Sequence, residues 1–418
     1  MISIPFLNLF LKKTSNFEKV YIVILFFLIS ISFFVSFPTD TTNIGVSSSN
    51  LAIGDRGFYI NSSSIGFGSK DYTGNILYPL IIKIITNFCS FFGADQYSKL
   101  WNFLLLTITS SLSIISLHLL RKSALFIFRE RVSALVCVIY MITPYTYYYS
   151  LSGGITNFLI IGVTFLLYIF AKSIKNEYRL SKSNFFKDIF LINIGCSYLS
   201  FLRPTGAIFS FIILIFFLYS NLKFLFFCQY SKRIFVNIFI LLIGIFVVTY
   251  NLNYSWDYSM NHISIFSNEG GLYFGFPRAE LRDKLRIDSS YFFHNIKYIF
   301  YNILWKSTDF IAGLSDIRDS HNAKNIEQNF PFLVRTFSGI FIIFPINLLN
   351  LFGILSNIKL IFKNDLWILL LSCLIAISPS LIGVAMSRYL MMFYTPFILF
   401  GAKALDNIFR INHQSNIS

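Results

Sequence analysis

Residues 232–251 read KRIFVNIFILLIGIFVVTYN: two cations, then not one charged residue from Ile234 to Asn251. A helix rises about 1.5 Å per residue, so a run of this length and apolarity is what a chain needs to cross a hydrocarbon layer about 30 Å thick. Working outward, the same pattern recurs. It predicts helical spans at roughly 20–37, 101–120, 132–150, 153–171, 188–203, 205–227, 234–251, 332–357, 366–385 and 389–406. The expected fold class is therefore all-α: a single polytopic membrane domain over residues 1–418, a bundle of about ten transmembrane helices. Two long loops, about 38–97 and 252–331, interrupt it.

Composition agrees. Of the 418 residues, 55% are hydrophobic and 13% charged, against about 25% charged in soluble domains. A net charge of +15 would suggest nucleic acid in a soluble protein. Here the Lys and Arg residues flank apolar spans, so no nucleic-acid partner is expected. The partner that this charge distribution implies is the lipid bilayer. The first span follows Lys12, Lys13 and Lys19 like a signal peptide, but no small-x-small cleavage site follows it, so it reads as a retained helix. The five cysteines form no CxxC pair and support neither a disulfide framework nor a zinc site.

Orientation follows from the short loops. With the N-terminus in the cytoplasm, the inner loops carry Arg121, Lys122, Arg129, Arg131, Lys172, Lys175, Arg179, Lys182, Lys187, Lys232, Arg233, Lys359 and Lys363. The short outer loops carry only Arg203 and Arg388. Ten spans put both termini inside. The six inner acids, Glu18, Glu130, Glu177, Asp188, Asp365 and Asp406, sit mostly beside basic residues, and the remaining acids of the nineteen face outward. Both long loops then lie outside, and each holds a segment suited to lie in the interface plane: 77–93, with Lys83 on an otherwise apolar helix, and 291–314, rich in aromatics.

Four outer stretches carry candidate chemistry. Gly54-Asp55-Arg56-Gly57-Phe58-Tyr59 places a carboxylate close to the membrane, where it can act as a general base or hold a divalent ion; Gly-Asp is also ordinary turn chemistry. Arg203-Pro204-Thr205-Gly206 puts a cation at the outer end of two spans, fit to receive a phosphate or to anchor in the headgroups. Ser387-Arg388-Tyr389 offers a guanidinium able to clamp a phosphate through two parallel donors. The stretch 251–275, which includes Glu269 and a Gly-rich turn, has the polar and aromatic content of a sugar site. There is no HExxH, GxSxG, Walker or GxGxxG motif, so nothing supports ATP-driven or nicotinamide chemistry.

Taken in order, these features resemble the GT-C class of membrane glycosyltransferases, the group of protein O-mannosyltransferases and aminoarabinose transferases. The pieces are the first helix followed at once by a long outer loop with Asp55, YPLIIKIITNFCSFFGADQYSKLWN (78–102) ahead of the next helix, Pro144 at a helix end, LSFLRPTGAIF (199–209), NLNYSWDYSMNHISIFSNEGGLYFG (251–275) and SRYLMMFYTPFILFGAKALD (387–406). The class often has Asp-Glu at its first-loop site, where this chain has Asp55-Arg56.

The resemblance implies an enzyme that moves a sugar from a polyprenyl-phosphate-linked donor to a glycan or lipid acceptor on the outer (periplasmic) face, in surface polysaccharide or glycolipid synthesis. In it Asp55 is the catalytic base, while Arg388, Tyr389, Arg203, Glu269 and Tyr59 bind substrate. It implies no cofactor and no metal, because the lipid phosphate is already an activated leaving group. Two other readings share the hydropathy: an O-antigen-type polysaccharide polymerase, and a lipid-linked saccharide flippase. A flippase would place ionisable residues near helix midpoints, whereas here they sit at helix ends. The compact inner loops and the absence of a retention signal point to a bacterial inner membrane.

Overall fold

The computed structural model describes residues 15–32, 77–95, 98–151, 153–176, 186–227, 232–262, 337–382 and 394–415, with short pieces between 303 and 311. The helices are α1 (Asn16–Ser32), α2 (Leu77–Phe91), α3 (Lys99–Ile127), α4 (Glu130–Ile142), α5 (Pro144–Ser150), α6 (Thr156–Lys175), α7 (Phe186–Ser200), α8 (Pro204–Phe227), α9 (Lys232–His262), α10 (Phe344–Ser356), α11 (Ile358–Lys363), α12 (Leu366–Ile382) and α13 (Tyr394–Ser415). Among the described residues there is no strand. Five segments, Lys99–Ile127, Thr156–Lys175, Pro204–Lys223, Ile234–Asn253 and Gly339–Ser356, are long and apolar enough to cross a membrane. The chain is thus an all-helical integral membrane protein, and each of the ten predicted segments overlaps a helix.

Several boundaries differ from the sequence reading, each for a local reason. The predicted span 132–150 is broken. Pro144 has no N–H for a continuing helix and pushes Thr143 into extended backbone (ψ 115°), so α4 stops and α5 starts with Pro at its first position. α9 runs eleven residues into the predicted loop 252–331, because 252–262 contains neither Gly nor Pro to stop a helix once its apolar part ends. α1 begins earlier than predicted because Ser15 and Glu18 form a capping box: the Ser15 N–H donates to Glu18 Oε2 at 2.6 Å and the Glu18 N–H to Ser15 Oγ at 3.4 Å. Ahead of α10, residues Gly339–Ile343 form a π turn. Pro345 cannot donate to the carbonyl four residues back, and the Phe344 N–H bonds instead to Gly339, five back.

The bundle is knit by α3 against α6 and α4, by α7, α8 and α9 against one another, by α12 against α8, and by α13 against α10 and α4. α9 leaves Phe235, Phe239, Leu242, Ile243, Phe246 and Tyr250 exposed, an apolar face suited to lipid. Hydrocarbon offers helices no hydrophobic reason to meet, so small residues and polar contacts must hold them. α3 supplies the largest set. Thr109, Ser110, Ser113 and Ser116 are buried along it. Ser113 Oγ lies 2.8 Å from Tyr21 Oη of α1 and 3.0 Å from Tyr140 Oη of α4. Thr109 Oγ1 donates to the Ser150 carbonyl of α5 at 2.7 Å, and Asn157 Nδ2 of α6 donates to the Thr109 carbonyl at 2.9 Å. Five helices therefore share one buried hydrogen-bond system.

Charge gathers at one end, here the Glu18 end. Fully buried Glu18 Oε1 accepts from Arg121 Nε at 2.8 Å and lies 2.9 Å from His118 Nδ1. Lys172 pairs with Asp188 at 3.8 Å, and Arg131 with Asp406 at 3.3 Å. The inner acids named above that pair here do sit beside basic residues. Glu18 lies ahead of the first predicted span. Burial alone would raise its carboxyl, but the hydrogen bonds with His118, Arg121 and the Ser15 N–H outweigh burial and hold it down at about 2.

The sign of the linkage follows. A depressed carboxyl stabilises the fold above its ordinary value of 4.5, and that contribution is lost as pH falls from about 4.5 toward about 2. The detergent-solubilised protein is expected to lose on the order of 3 kcal/mol across that window. In Glu18→Gln, thermal melts taken across the window should show the difference flattened. An unchanged acid dependence in the variant would exclude Glu18 as its source.

Candidate functional site

The opposite end, here the Arg203 end, is where the sequence-predicted segments meet. Arg203 occupies the three-residue turn between α7 and α8 and is 8% exposed. α8 opens on Pro204, which has no N–H to leave unpaired. Two residues on, Gly206 lies so close to α7 that a Cβ there would come within 2.3 Å of the Leu199 carbonyl oxygen. Each residue of the Arg-Pro-Thr-Gly motif except Thr205 thus has a definite local role: charge, helix start, close approach.

Two distant segments, α2 and α9, dock on this turn or its edge, and a third, the turn between α5 and α6, joins through α2. The N–H of Leu77, first residue of α2, donates to the Phe201 carbonyl at 3.2 Å. The neighbouring Tyr78 is fully buried, and its hydroxyl donates to the carbonyl of Gly153 in the turn between α5 and α6. Gly153 has φ +66°, a left-handed conformation that glycine adopts without strain. The Tyr78 ring also meets Phe158 of α6 edge-on at 5.5 Å. From α9, Asn251 Nδ2 donates to Ser200 Oγ at 3.0 Å.

α2 is fastened at its other end as well, where Trp101 Nε1 of α3 donates to Thr86 Oγ1 at 3.0 Å. Its buried side is Tyr78, Ile82, Ile85 and Cys89, and its exposed side carries Lys83, Ile84, Phe88 and Phe91. Fifteen residues cannot span a bilayer, and an apolar exposed edge with a single cation suits a helix lying in the interface. Segment 291–314, the second candidate of this kind, lies almost wholly outside the described residues; within it the Ile311 carbonyl accepts from Asn347 Nδ2 of α10 at 3.1 Å.

Chemically, this end combines a guanidinium with the amino end of α8, both of which favour an anion. Of the predicted site residues, Arg203 is placed. Asp55, Tyr59, Glu269, Arg388 and Tyr389 lie outside the described residues. Among the described residues no group of three or more His, Cys, Asp or Glu is gathered to hold a metal ion. Cys89, Cys137, Cys196 and Cys373 are free and buried. Tyr78 and Gly153 were not singled out as site residues by the sequence reading, whereas Asn251 opens the candidate stretch 251–275. Tyr78 stands in the quoted segment 78–102, and the signal that it faces inward is its spacing with Ile82, Ile85 and Cys89.

The fold and this end define a helical membrane protein in which Arg203 sits in a turn where α2 and α9 dock and the α5–α6 turn joins through Tyr78. No protein-family model matches the chain, and no curated protein does. Among solved structures it is similar to the archaeal oligosaccharyltransferase AglB from Archaeoglobus fulgidus in complex with an inhibitory peptide and a dolichol-phosphate, at 14% identity and a TM-score of 0.47, covering 96% of this chain and 52% of that one. It is similar also to the Archaeoglobus fulgidus oligosaccharyltransferase in the apo form, at 12% identity and a TM-score of 0.47, covering 97% of this chain and 52% of that one. The chain spans about half the length of each.

The close approach at Gly206 is testable. In Gly206→Ala the added methyl meets backbone rather than a flexible side chain, so α8 must shift against α7. The expected cost is about 1–3 kcal/mol, read as a lower thermal midpoint in detergent. A midpoint equal to that of the native protein would show that the α7–α8 turn is looser than described.

Proposed function

We propose that this protein is a membrane glycosyltransferase that moves a sugar from a polyprenyl-phosphate-linked donor to a glycan or lipid acceptor on the outer face of the membrane. The observation that carries this reading is the convergence at the Arg203 end. Three pieces of the ordered GT-C-like pattern, separated in sequence, meet there: the segment 78–102 through Tyr78, the turn after the Pro144 helix through Gly153, and the Arg-Pro turn through Phe201. The basic residues at the Glu18 end, with Arg121, Arg131 and Lys172 in ion pairs, favour that end as cytoplasmic, which puts the Arg203 end outside. The paired ionisable residues lie toward helix ends, which favours an enzyme at the membrane surface over a flippase with a charged central path.

The chemistry is one displacement. An acceptor hydroxyl attacks the anomeric carbon, and its proton passes to the Asp55 carboxylate. The bond from the anomeric carbon to the phosphate oxygen breaks, and the lipid phosphate leaves with the electron pair. Arg388, with Arg203, stabilises the charge gathering on that phosphate. Tyr59, Tyr389 and Glu269 hold the sugar and acceptor. A backside attack of this kind inverts the anomeric centre. Such an enzyme serves surface polysaccharide or glycolipid synthesis, in a bacterial inner membrane with both termini cytoplasmic.

Transfer measured in membranes with a labelled polyprenyl-phosphate sugar tests these roles. Asp55→Asn is expected to lower turnover by about 10²–10⁴. Arg388→Lys keeps the charge but loses the paired donors, and should reduce turnover more than it raises KM for the donor. Full transfer by Asp55→Asn would remove the base assignment. Arg388→Lys with native turnover would remove the phosphate clamp.

A further inference from the structure

From Thr156 to Ser173, every residue of α6 is buried except Ile161, Phe165, Tyr168 and Lys172. Their spacing of four, three and four residues puts them on one face, and exposed Lys175 extends it. This open stripe runs from apolar through aromatic to cationic. α3 carries a similar stripe beside it: Ile115, Leu119, Lys122 and Phe126, none of them buried, at the same spacing. The two stripes touch where the Phe126 and Tyr168 rings meet at 5.4 Å, and Lys175 Nζ lies 4.9 Å over the Phe126 ring. α7 forms the other edge. There a Cβ on Gly195 would come within 3.3 Å of the Phe165 ring, and Asp188 Oδ1 lies 3.8 Å from Lys172 Nζ. The result is a groove floored by α6 and bounded by α3 and α7. It is apolar at first and ends, at the Glu18 end, in three lysines and two aromatic rings.

Whatever fills such a groove must match both parts. Ile161 and Phe165 present apolar surface that a hydrocarbon chain covers. Against the three lysines, the described residues of the groove set one carboxylate, Asp188. A protein helix seated here would bury the excess positive charge, which is costly. A phospholipid answers both parts: its chain lies on the apolar stretch, and its phosphate stands at headgroup depth, where tyrosine is at home and lysine stems reach. A zwitterionic headgroup brings a cation back toward the lysines, whereas a headgroup of net negative charge does not. Basic pockets between membrane helices hold anionic headgroups by this chemistry. We propose that the groove over α6 binds one anionic phospholipid, its phosphate held by Lys122, Lys172 and Lys175 and one acyl chain lying along Tyr168, Phe165 and Ile161. The bound lipid ties α3, α6 and α7 together at the Glu18 end, away from Arg203. The inference stands on the groove alone. It is independent of the transferase reading and of which side of the membrane this end faces.

The test is native mass spectrometry of the full chain released from nanodiscs made of equal amounts of phosphatidylglycerol and phosphatidylcholine with the same acyl chains. The native protein is expected to retain phosphatidylglycerol several-fold over phosphatidylcholine. Lys122→Gln with Lys175→Gln, which removes two of the three lysines while leaving the apolar stretch, should bring that ratio down toward one. Lys359→Gln with Lys363→Gln removes the same charge from exposed positions of α11 and should leave the native preference in place. Equal retention of the two lipids by the native protein, or retention of neither, would overturn the proposal, and that comparison needs no variant. A preference that survives Lys122→Gln with Lys175→Gln would overturn the placement in this groove. A preference lost equally in both double variants would also overturn it, because net charge rather than the groove would then select the lipid.

Discussion

The hydrogen bonds that Ser113 makes with Tyr21 and Tyr140 at once are the constraint on which the rest depends. Apolar side chains gain nothing by leaving lipid for one another, so the register of these helices is set where a hydroxyl has a single place to be satisfied. Ser113 joins α1, α3 and α4. One turn toward the Arg203 end, Thr109 joins α5 and α6. One turn the other way, Glu18 joins α1 to α3 through His118 and Arg121. α1 is thus held along one face by Glu18, Tyr21, Leu25 and Ile29, each buried, while Val20, Val23, Phe26 and Phe27 stay exposed.

That framework positions the Arg203 end. With α3 and α6 in register, Gly153 presents its carbonyl to Tyr78, and Tyr78 brings the start of α2 to Phe201. A cation at the mouth of the α7–α8 turn is then backed by packed backbone rather than by a free loop, which is the support a group needs if it is to receive charge during a reaction. The two ends differ in kind. At the Glu18 end, Glu18, Asp188 and Asp406 each pair with a cation; at the other, carbonyls, hydroxyls and one guanidinium meet.

How much of this could be read from sequence depends on what each feature leaves in the residue order. The five segments long and apolar enough to cross a membrane were legible because length and charge alone decide them, as in 232–251. The Arg203 turn was legible because Pro and Gly flank the cation. The break at Thr143 was carried by Pro144, a residue visible in the sequence, but the apolar run continues across it and hides the stop. The extension of α9 to His262 was not legible, because the apolar pattern ends at Asn251 while the backbone has no reason to stop. The polar system on α3 was written as TSSLS, residues 109–113, yet the residue order does not say which hydroxyl meets a partner on another helix. The partners on other helices, Tyr21 and Tyr140 for Ser113 and the Ser150 carbonyl for Thr109, give those hydroxyls a purpose. The acids of the long loops and the two arginines of the short turns carry the proposed chemistry, and for Asp55, Glu269 and Arg388 the motif order is the guide.

The central claim is that a carboxylate and a guanidinium more than three hundred residues apart in sequence meet at one sugar phosphate. The direct measurement is the distance between the Asp55 carboxylate and the Arg388 guanidinium in an experimental structure with a polyprenyl-phosphate sugar bound. The account predicts both groups lining one cavity at the Arg203 end, separated by the span of a single sugar phosphate. Finding them on opposite sides of the bundle would contradict it.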